Sequence, residues 1–344
     1  MKRVKRQRPS AIDLFSGCGG LTLGLKQAGF AVRAAVEIDA RAASTYSANH
    51  PKVNLYDIDI RKLETATVLR DLGLQVGELD LLAGCPPCQG FSRLRTKNRS
   101  DAVADPRNML IREFFRFVKD LRPKTVMMEN VPALIGDATF IRHCKKLITL
   151  GYNVRVEILD AAHYEVAQRR KRLILLASRI HTAEVAEPSR NVRTVRDTIG
   201  SLALKNDSLH EFRTTHSKSV QKLISMIPSD GGSRADLPRK YLLECHKRSD
   251  GFSDVYGRMA WNKVAPTITS GCVNPSKGRF LHPVENRAIT LREAALLQGF
   301  PSNYKFEVGH GKESIALMIG NALPPPFIAA HARGLRRAIT SHLR

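Results

Sequence analysis

The chain has 344 residues, enough for a core domain and a second, smaller one, and 43% of them are hydrophobic, which predicts a packed interior. Lys and Arg outnumber Asp and Glu by 55 to 32, a net charge of +23 that points to a polyanionic partner, most simply nucleic acid. No apolar run approaches the ~18 residues that cross a bilayer, and the basic start MKRVKRQRPS leads straight into a strand-like segment, so the expectation is a soluble, intracellular protein with no membrane partner.

AIDLF (11–15) reads as a strand, SGCGG as a glycine turn, and an amphipathic helix follows from about Leu21. Glycines let a backbone approach a ligand where a Cβ would clash. AVRAAVEID (31–39) is the second strand. Glu37 lies 20 residues after Gly17, the interval at which a doubly wound fold brings an acid to ribose hydroxyls. Asp59, near the end of the next unit, is placed to meet an adenine amine. No G-K-[ST] is present, which argues against a triphosphate loop. The turn alone does not separate a dinucleotide from S-adenosylmethionine.

ELDLLAG (78–84) is a third strand, and it runs into GCPPCQGFS (84–92). Two prolines between glycines make a rigid, sharply turning loop that holds one thiol, Cys88, at a sheet edge. Such a thiol serves a metal, a redox couple or a nucleophilic reaction. Zinc needs two further ligands at suitable spacing, and no second CxxC or paired Cys/His cluster occurs. A redox CxxC opens a helix, whereas Gln89-Gly90-Phe91-Ser92 reads as a loop. Nucleophile is therefore the reading for Cys88, and Cys85 is a packed core residue. The six cysteines show no disulfide framework and are expected to be reduced. A free thiol titrates near ~8.5, so a local device has to raise its thiolate fraction.

A helix is predicted over 107–121, with Asp105 as N-cap and Pro106 at its first position. KTVMMEN (124–130) is the next strand, and Glu129 projects from the same sheet edge as Cys88. VRVEILD (154–160) and RLILLAS (172–178) continue the pattern, the latter entered through QRRKR (168–172), where Arg170 and Arg172 alternate onto one side. Strands alternating with helices predict an α/β fold, a parallel sheet with helices on both faces. The rhythm stops after Arg179. The expected organisation is a catalytic and cofactor-binding domain over 1–180 completed by 310–344, a smaller domain over 181–289, and a hinge over 290–309. Thr290 and Glu293 form a capping box for a helix through Gln298. Segments 313–323 and 327–340 read as helices around the prolines at 324–326.

With these motifs in place the chain closely resembles the DNA cytosine-5 methyltransferases of bacterial restriction–modification systems. DLFSGCGGL (13–21), Glu37, Asp59, GCPPCQGFS, DPRNMLIREFFRF (105–117), ENV (129–131), QRRKR, REAALLQGFP (292–301) and GNALPP (320–325) occur in that family's order over nearly the whole chain. The resemblance implies a Rossmann-like methyltransferase sheet with a smaller target-recognition domain. It implies methyl transfer from S-adenosyl-L-methionine to C5 of a cytosine flipped out of duplex DNA. Cys88 would attack C6 and Glu129 would act around N3 and the exocyclic amine. Arg170 and Arg172 would hold the base and phosphates, with Arg170 also supporting Glu129.

The implied cofactor set is Phe15, Ser16, Gly17, Cys18, Gly19, Gly20, Leu21, Glu37, Ile38, Asp59, Ile60, Pro87, Leu110, Asn321 and Ala322. The implied DNA contacts are Gln89, Ser92, Arg234, Arg239, Lys240 and Arg258, with 92–104 as a closing loop. No metal is implied. The implied setting is a monomer in a bacterial cytoplasm, at the nucleoid through its DNA, alongside a cognate restriction endonuclease that forms no stable complex with it. Two other readings share the motifs, a tRNA cytosine-5 methyltransferase and a silent DNA-binding regulator. The sizeable recognition region favours DNA over tRNA, and the intact Cys88, Glu129 and glycine turn favour an enzyme over a regulator.

Overall fold

Residues 8–87, 109–202, 206–212, 216–242, 244 and 254–342 are described by the computed structural model of the chain. Their internal contacts gather them into two units. The first is Met1–Asp160, Lys171–Pro188 and Pro325–Arg344, and the second is Ala161–Arg170 and Ser189–Pro324. Residues 161–170 and 310–324 thus cluster with the second unit, which is discontinuous in sequence. A change in composition along the chain does not register a discontinuous unit.

The first unit is built on seven strands: β1 (Ser10–Leu14), β2 (Ala31–Glu37), β3 (Asn54–Asp57), β4 (Leu81–Gly84), β5 (Thr125–Asn130), β6 (Asn153–Asp160) and β7 (Lys171–Ser178). Their order is β3-β2-β1-β4-β5-β7-β6. The first five are parallel, and the order reverses between β1 and β4, where open sheets of this kind leave a crevice at their carboxyl ends. The sheet is not wholly parallel as expected: β7 runs antiparallel to both β5 and β6. No helix of four or more residues lies between β6 and β7, and an antiparallel return needs no helical crossover.

Helices α1 (Gly20–Gln27), α2 (Ala40–Asn49), α3 (Thr65–Leu72), α4 (Leu110–Leu121) and α5 (Ala138–Thr149) connect the strands. In α4, Ile111, Phe114, Phe115, Phe117, Val118 and Leu121 recur at helical spacing and are buried against the sheet core, which includes Ile12, Leu14, Leu82 and Val126. On the other flank α1 meets the C-terminal helix α11 (Pro325–His342). A Cβ on Gly24 would stand 2.6 Å from Ile328 Cβ and 2.6 Å from the Pro325 carbonyl oxygen, so only glycine allows this approach. The stretch Lys312–His342 has the length and mean hydropathy of a membrane span, but 78% of its most apolar window is buried inside the protein, as in a core helix.

The second unit holds short helices α6 (Val195–Ile199), α7 (Ser208–Glu211), α8 (Lys218–Met226), α9 (Leu291–Leu297) and α10 (Lys312–Asn321). The box predicted at α9 is present: Thr290 Oγ1 accepts from Glu293 N (3.2 Å) and Glu293 Oε2 accepts from Thr290 N (2.8 Å). Around the apolar cluster of Leu223, Ile224, Ile227, Tyr256 and Leu281, the unit is organised by a buried guanidinium, that of Arg258. It donates to the carbonyls of Ile227 (3.1 Å), Ile224 (3.0 Å), His282 (3.0 Å) and Glu285 (2.6 Å), and to Asn286 Oδ1 (2.5 Å).

Candidate active site

Register decides which side chains meet at the carboxyl edge of the sheet. Leu14 pairs with Val36 and with Gly84, and Gly84 pairs with Met128. One residue beyond this row stand Phe15, Glu37, Cys85 and Glu129, so the glycine turn, the acid of β2, the proline loop and the ENV segment open at one level. Phe15 (φ 61°), Gly17 (φ 54°) and Gly19 (φ 98°) are all left-handed, which turns the chain from β1 into α1 within five residues. A left-handed phenylalanine is strained, and such strain concentrates at functional turns. A Cβ on Gly17 would meet nothing within 4 Å, so the turn faces open space.

Glu37 ties this turn to the next loop. Its carboxylate accepts from Gly17 N (2.7 Å), Ile38 N (2.9 Å) and Asp39 N (2.8 Å), and burial holds its pKa above the ordinary carboxylate value. Beside it Ile38 is 64% exposed, a large apolar side chain left in the open. Asp59 caps a short turn by accepting from Arg61 N (3.0 Å) and pairs with the Arg61 guanidinium, which holds its carboxyl below the usual range. An exposed apolar side chain and a carboxylate beside an open glycine turn, with a second carboxylate on the loop after β3, fit a ligand with a flat ring, hydroxyls and an amine. The expected adenosyl cofactor has that chemistry. Ser16, Cys18, Gly20, Leu21 and Ile60 are buried, and Phe15, Pro87 and Leu110 are half-buried. Burial pushes the Cys18 thiol up to about 12, which leaves it no nucleophilic role.

At the neighbouring strand ends Glu129 is nearly buried. Arg172 Nε sits 2.7 Å from its Oε1. Burial, aided by that carboxylate, drives the Cys85 thiol far above its ordinary value, so it stays protonated. A guanidinium this close to a carboxylate attracts it and restrains its direction. Asn130, also unforeseen, donates through Nδ2 to the Pro86 carbonyl (3.0 Å) and accepts from Val131 N (2.8 Å), pinning the stretch two residues before Cys88 to the end of β5. The available signal was a polar residue ending an otherwise apolar strand. Cys88, Gln89, Ser92, the 92–104 loop, Asp105 and Pro106 lie outside the described residues.

Within the second unit, Arg170 is buried and donates to the carbonyls of Ile268 (3.0 Å) and Gly320 (3.1 Å). Asn321 is exposed, and Ala322 accepts through its carbonyl from Gln298. Of the expected DNA contacts, Arg239 and Lys240 are exposed on one turn, with Lys240 Nζ 5.0 Å from the Tyr241 ring centroid. Arg234 is buried, and Arg258 is only 1% exposed with its guanidinium committed to carbonyls, so the Arg258 side chain has no surface to offer DNA.

The comparisons agree with this geometry. The sequence profile of the C-5 cytosine-specific DNA methylase family matches residues 10–337. Type II methylase M.HgiDII of Herpetosiphon aurantiacus is 35% identical over 349 residues, covering 95% of each chain. Type II methyltransferase M1.HphI of Haemophilus parahaemolyticus is 34% identical over 341 residues, covering 96% of this chain and 87% of that protein. Among solved structures, a prophage-encoded DNA modification methyltransferase of E. coli superposes with a TM-score of 0.76 at 26% identity, covering 96% of this chain and 99% of that one.

Proposed function

The chain belongs to the C-5 cytosine-specific DNA methylase family, and we propose that it methylates C5 of one cytosine in a short duplex DNA target, using Cys88 as a covalent nucleophile. The observation that carries this reading is the pairing of buried Glu129 with half-buried Arg172 at the sheet edge where Asn130 pins the approach to Cys88. Cytosine C5 is a poor nucleophile. Cys88 forms a bond to C6 and shifts the ring's electrons toward C5, while Glu129, held by Arg172, balances charge and proton at N3 and the amine. Once C5 carries the methyl group, loss of its proton to water re-forms the ring double bond and breaks the C6–sulfur bond, returning Cys88 as thiolate. S-adenosylmethionine, held by the 15–19 turn, Glu37, Ile38 and Asp59, supplies the methyl group on a sulfonium. Arg239 and Lys240 offer phosphate contacts, and similarity to type II methylases and methyltransferases supports a restriction–modification setting.

The test is expression in a methylation-free bacterium followed by genome-wide mapping of 5-methylcytosine. A short enriched motif, lost with Cys88→Ser, is the expected result. Absence of DNA methylation, or full methylation by Cys88→Ser, overturns the proposal.

A further inference from the structure

A buried polar chain runs beneath the cofactor turn, and the chemistry derived above does not use it. Asp13 on β1 is fully buried, and its Oδ2 accepts from Thr22 Oγ1 on α1 (2.7 Å); Thr22 Oγ1 also meets the hydroxyl of Tyr46 on α2 (2.8 Å). The Tyr46 ring packs edge-on against His50, with centroids 4.8 Å apart. His50 closes α2: its backbone N donates to the Tyr46 carbonyl (2.8 Å), and its ring is buried. The two ring nitrogens face different partners. Nδ1 lies 3.1 Å from Lys26 Nζ, and Nε2 lies 3.2 Å from the carbonyl oxygen of Gly19.

An ammonium group donates and never accepts, so Lys26 requires Nδ1 to be the acceptor. The imidazole proton then sits on Nε2, which makes Nε2 a donor to Gly19. Burial and the adjacent Lys26 push the pKa of His50 down to about 4, so the ring stays neutral at ordinary pH. Gly19 is the left-handed residue where the turn becomes α1, and its carbonyl also accepts from Leu23 N (2.9 Å). Without the imidazole, one of the two donors holding that peptide is gone.

We propose that His50 and Lys26 are positioning residues of the cofactor turn: Lys26 selects the His50 tautomer, and His50 holds the Gly19 carbonyl so that the turn keeps one conformation before S-adenosylmethionine arrives. The inference rests on the functional reading above. Preorganisation of this kind acts on binding, because a turn already ordered loses less freedom when the ligand docks.

The experiment measures S-adenosylmethionine affinity by calorimetry on the full chain for wild type, His50→Phe, His50→Gln and Lys26→Met. It is paired with kcat and KM at saturating DNA and with the imidazole 15N shifts at pH 7. His50→Phe keeps an aromatic ring against Tyr46 and is expected to weaken cofactor affinity about tenfold, seen in KM, with kcat nearly unchanged. His50→Gln, whose amide can donate, is expected to recover most of the loss. The wild-type spectrum should show the proton on Nε2, and Lys26→Met should release a fraction to Nδ1. Unchanged affinity in His50→Phe, a loss that Gln does not rescue, or a wild-type proton on Nδ1 overturns the proposal. A wild type that binds no S-adenosylmethionine instead overturns the functional reading on which it rests.

Discussion

Replacing Gly24 by alanine sets two known effects against each other. Alanine is the better helix former by about 1 kcal/mol, so on propensity alone the variant should gain stability. The new Cβ, however, would lie 2.6 Å from Ile328 Cβ, 2.6 Å from the Pro325 carbonyl oxygen and 2.8 Å from Ile328 Cγ2. Ordinary carbon contacts are about 3.5–4.0 Å, and neither a Cβ nor a backbone carbonyl can swing aside, so α1 and α11 must part by several tenths of an ångström or more. Overpacking of this kind costs about 1–3 kcal/mol, and contact with backbone argues for the upper end. The expected net loss is about 2 kcal/mol, read as a lower urea midpoint at unchanged m-value. Because α1 begins at the cofactor turn, cofactor affinity should fall as well. Gly136→Ala is the control: a Cβ there meets nothing within 4 Å, and its stability should hold or rise slightly. A Gly24→Ala protein as stable as wild type would refute the close-packing argument.

Three further outcomes are expected. Arg172→Gln leaves the buried Glu129 carboxylate without its ion-pair partner and should lower single-turnover methyl transfer about a hundredfold with little change in cofactor affinity; Arg172→Lys should recover part of it, and retained activity in the glutamine variant would exclude the role assigned to the pair. Burial raises the Asp13 pKa from 3.8 to about 7, so the folded state holds that proton more tightly; its contribution is complete below about pH 4 and is lost as pH rises through 7. Asp13→Asn should therefore gain on wild type between pH 5 and 8, by about 3 kcal/mol in urea melts, and a pH-independent difference would contradict this. Finally, Arg258→Met should destabilise the protein by about 3 kcal/mol or more by stranding buried carbonyls, whereas Arg239→Ala with Lys240→Ala should leave stability alone and flatten the salt dependence of DNA binding by about two counterions, as seen in filter-binding titrations.

What could be read from the residues follows from how local each signal is. The glycine turn, the body of α4 and the Thr290 capping box are written in adjacent residues, and the structure has them there; the described part of α4 starts at Leu110, and its expected cap at Asp105 and Pro106 lies outside the described residues. Strand β3 was missed because NLYD carries no apolar alternation and is only partly buried. The antiparallel β7 was missed because a buried strand has the same residue pattern in either direction. Arg258 looked like a surface cation, since its carbonyl partners come from 224–227 and from 282–286, which no local pattern links to it. The roles of Asn130 and His50 were hidden for the same reason: each partner is a backbone carbonyl more than thirty positions away or close to it, the gaps being 44 and 31 residues.

The chain crosses between its two units four times, after Asp160, Arg170, Pro188 and Pro324. The ten residues 161–170 contain Gln168, which is buried with donors to Leu297 O (3.3 Å) and Gln298 Oε1 (2.5 Å) and an acceptor for Ile268 N (2.8 Å), and Arg170, whose guanidinium donates to Ile268 and Gly320. A recombinant that transplants 189–324 from another sequence would therefore carry a new core but keep the host's keystone pair. Modular exchange of this region succeeds, on this architecture, only when the backbone of the incoming 265–268 and 297–320 segments presents the same carbonyls, or when the short 161–170 piece travels with it.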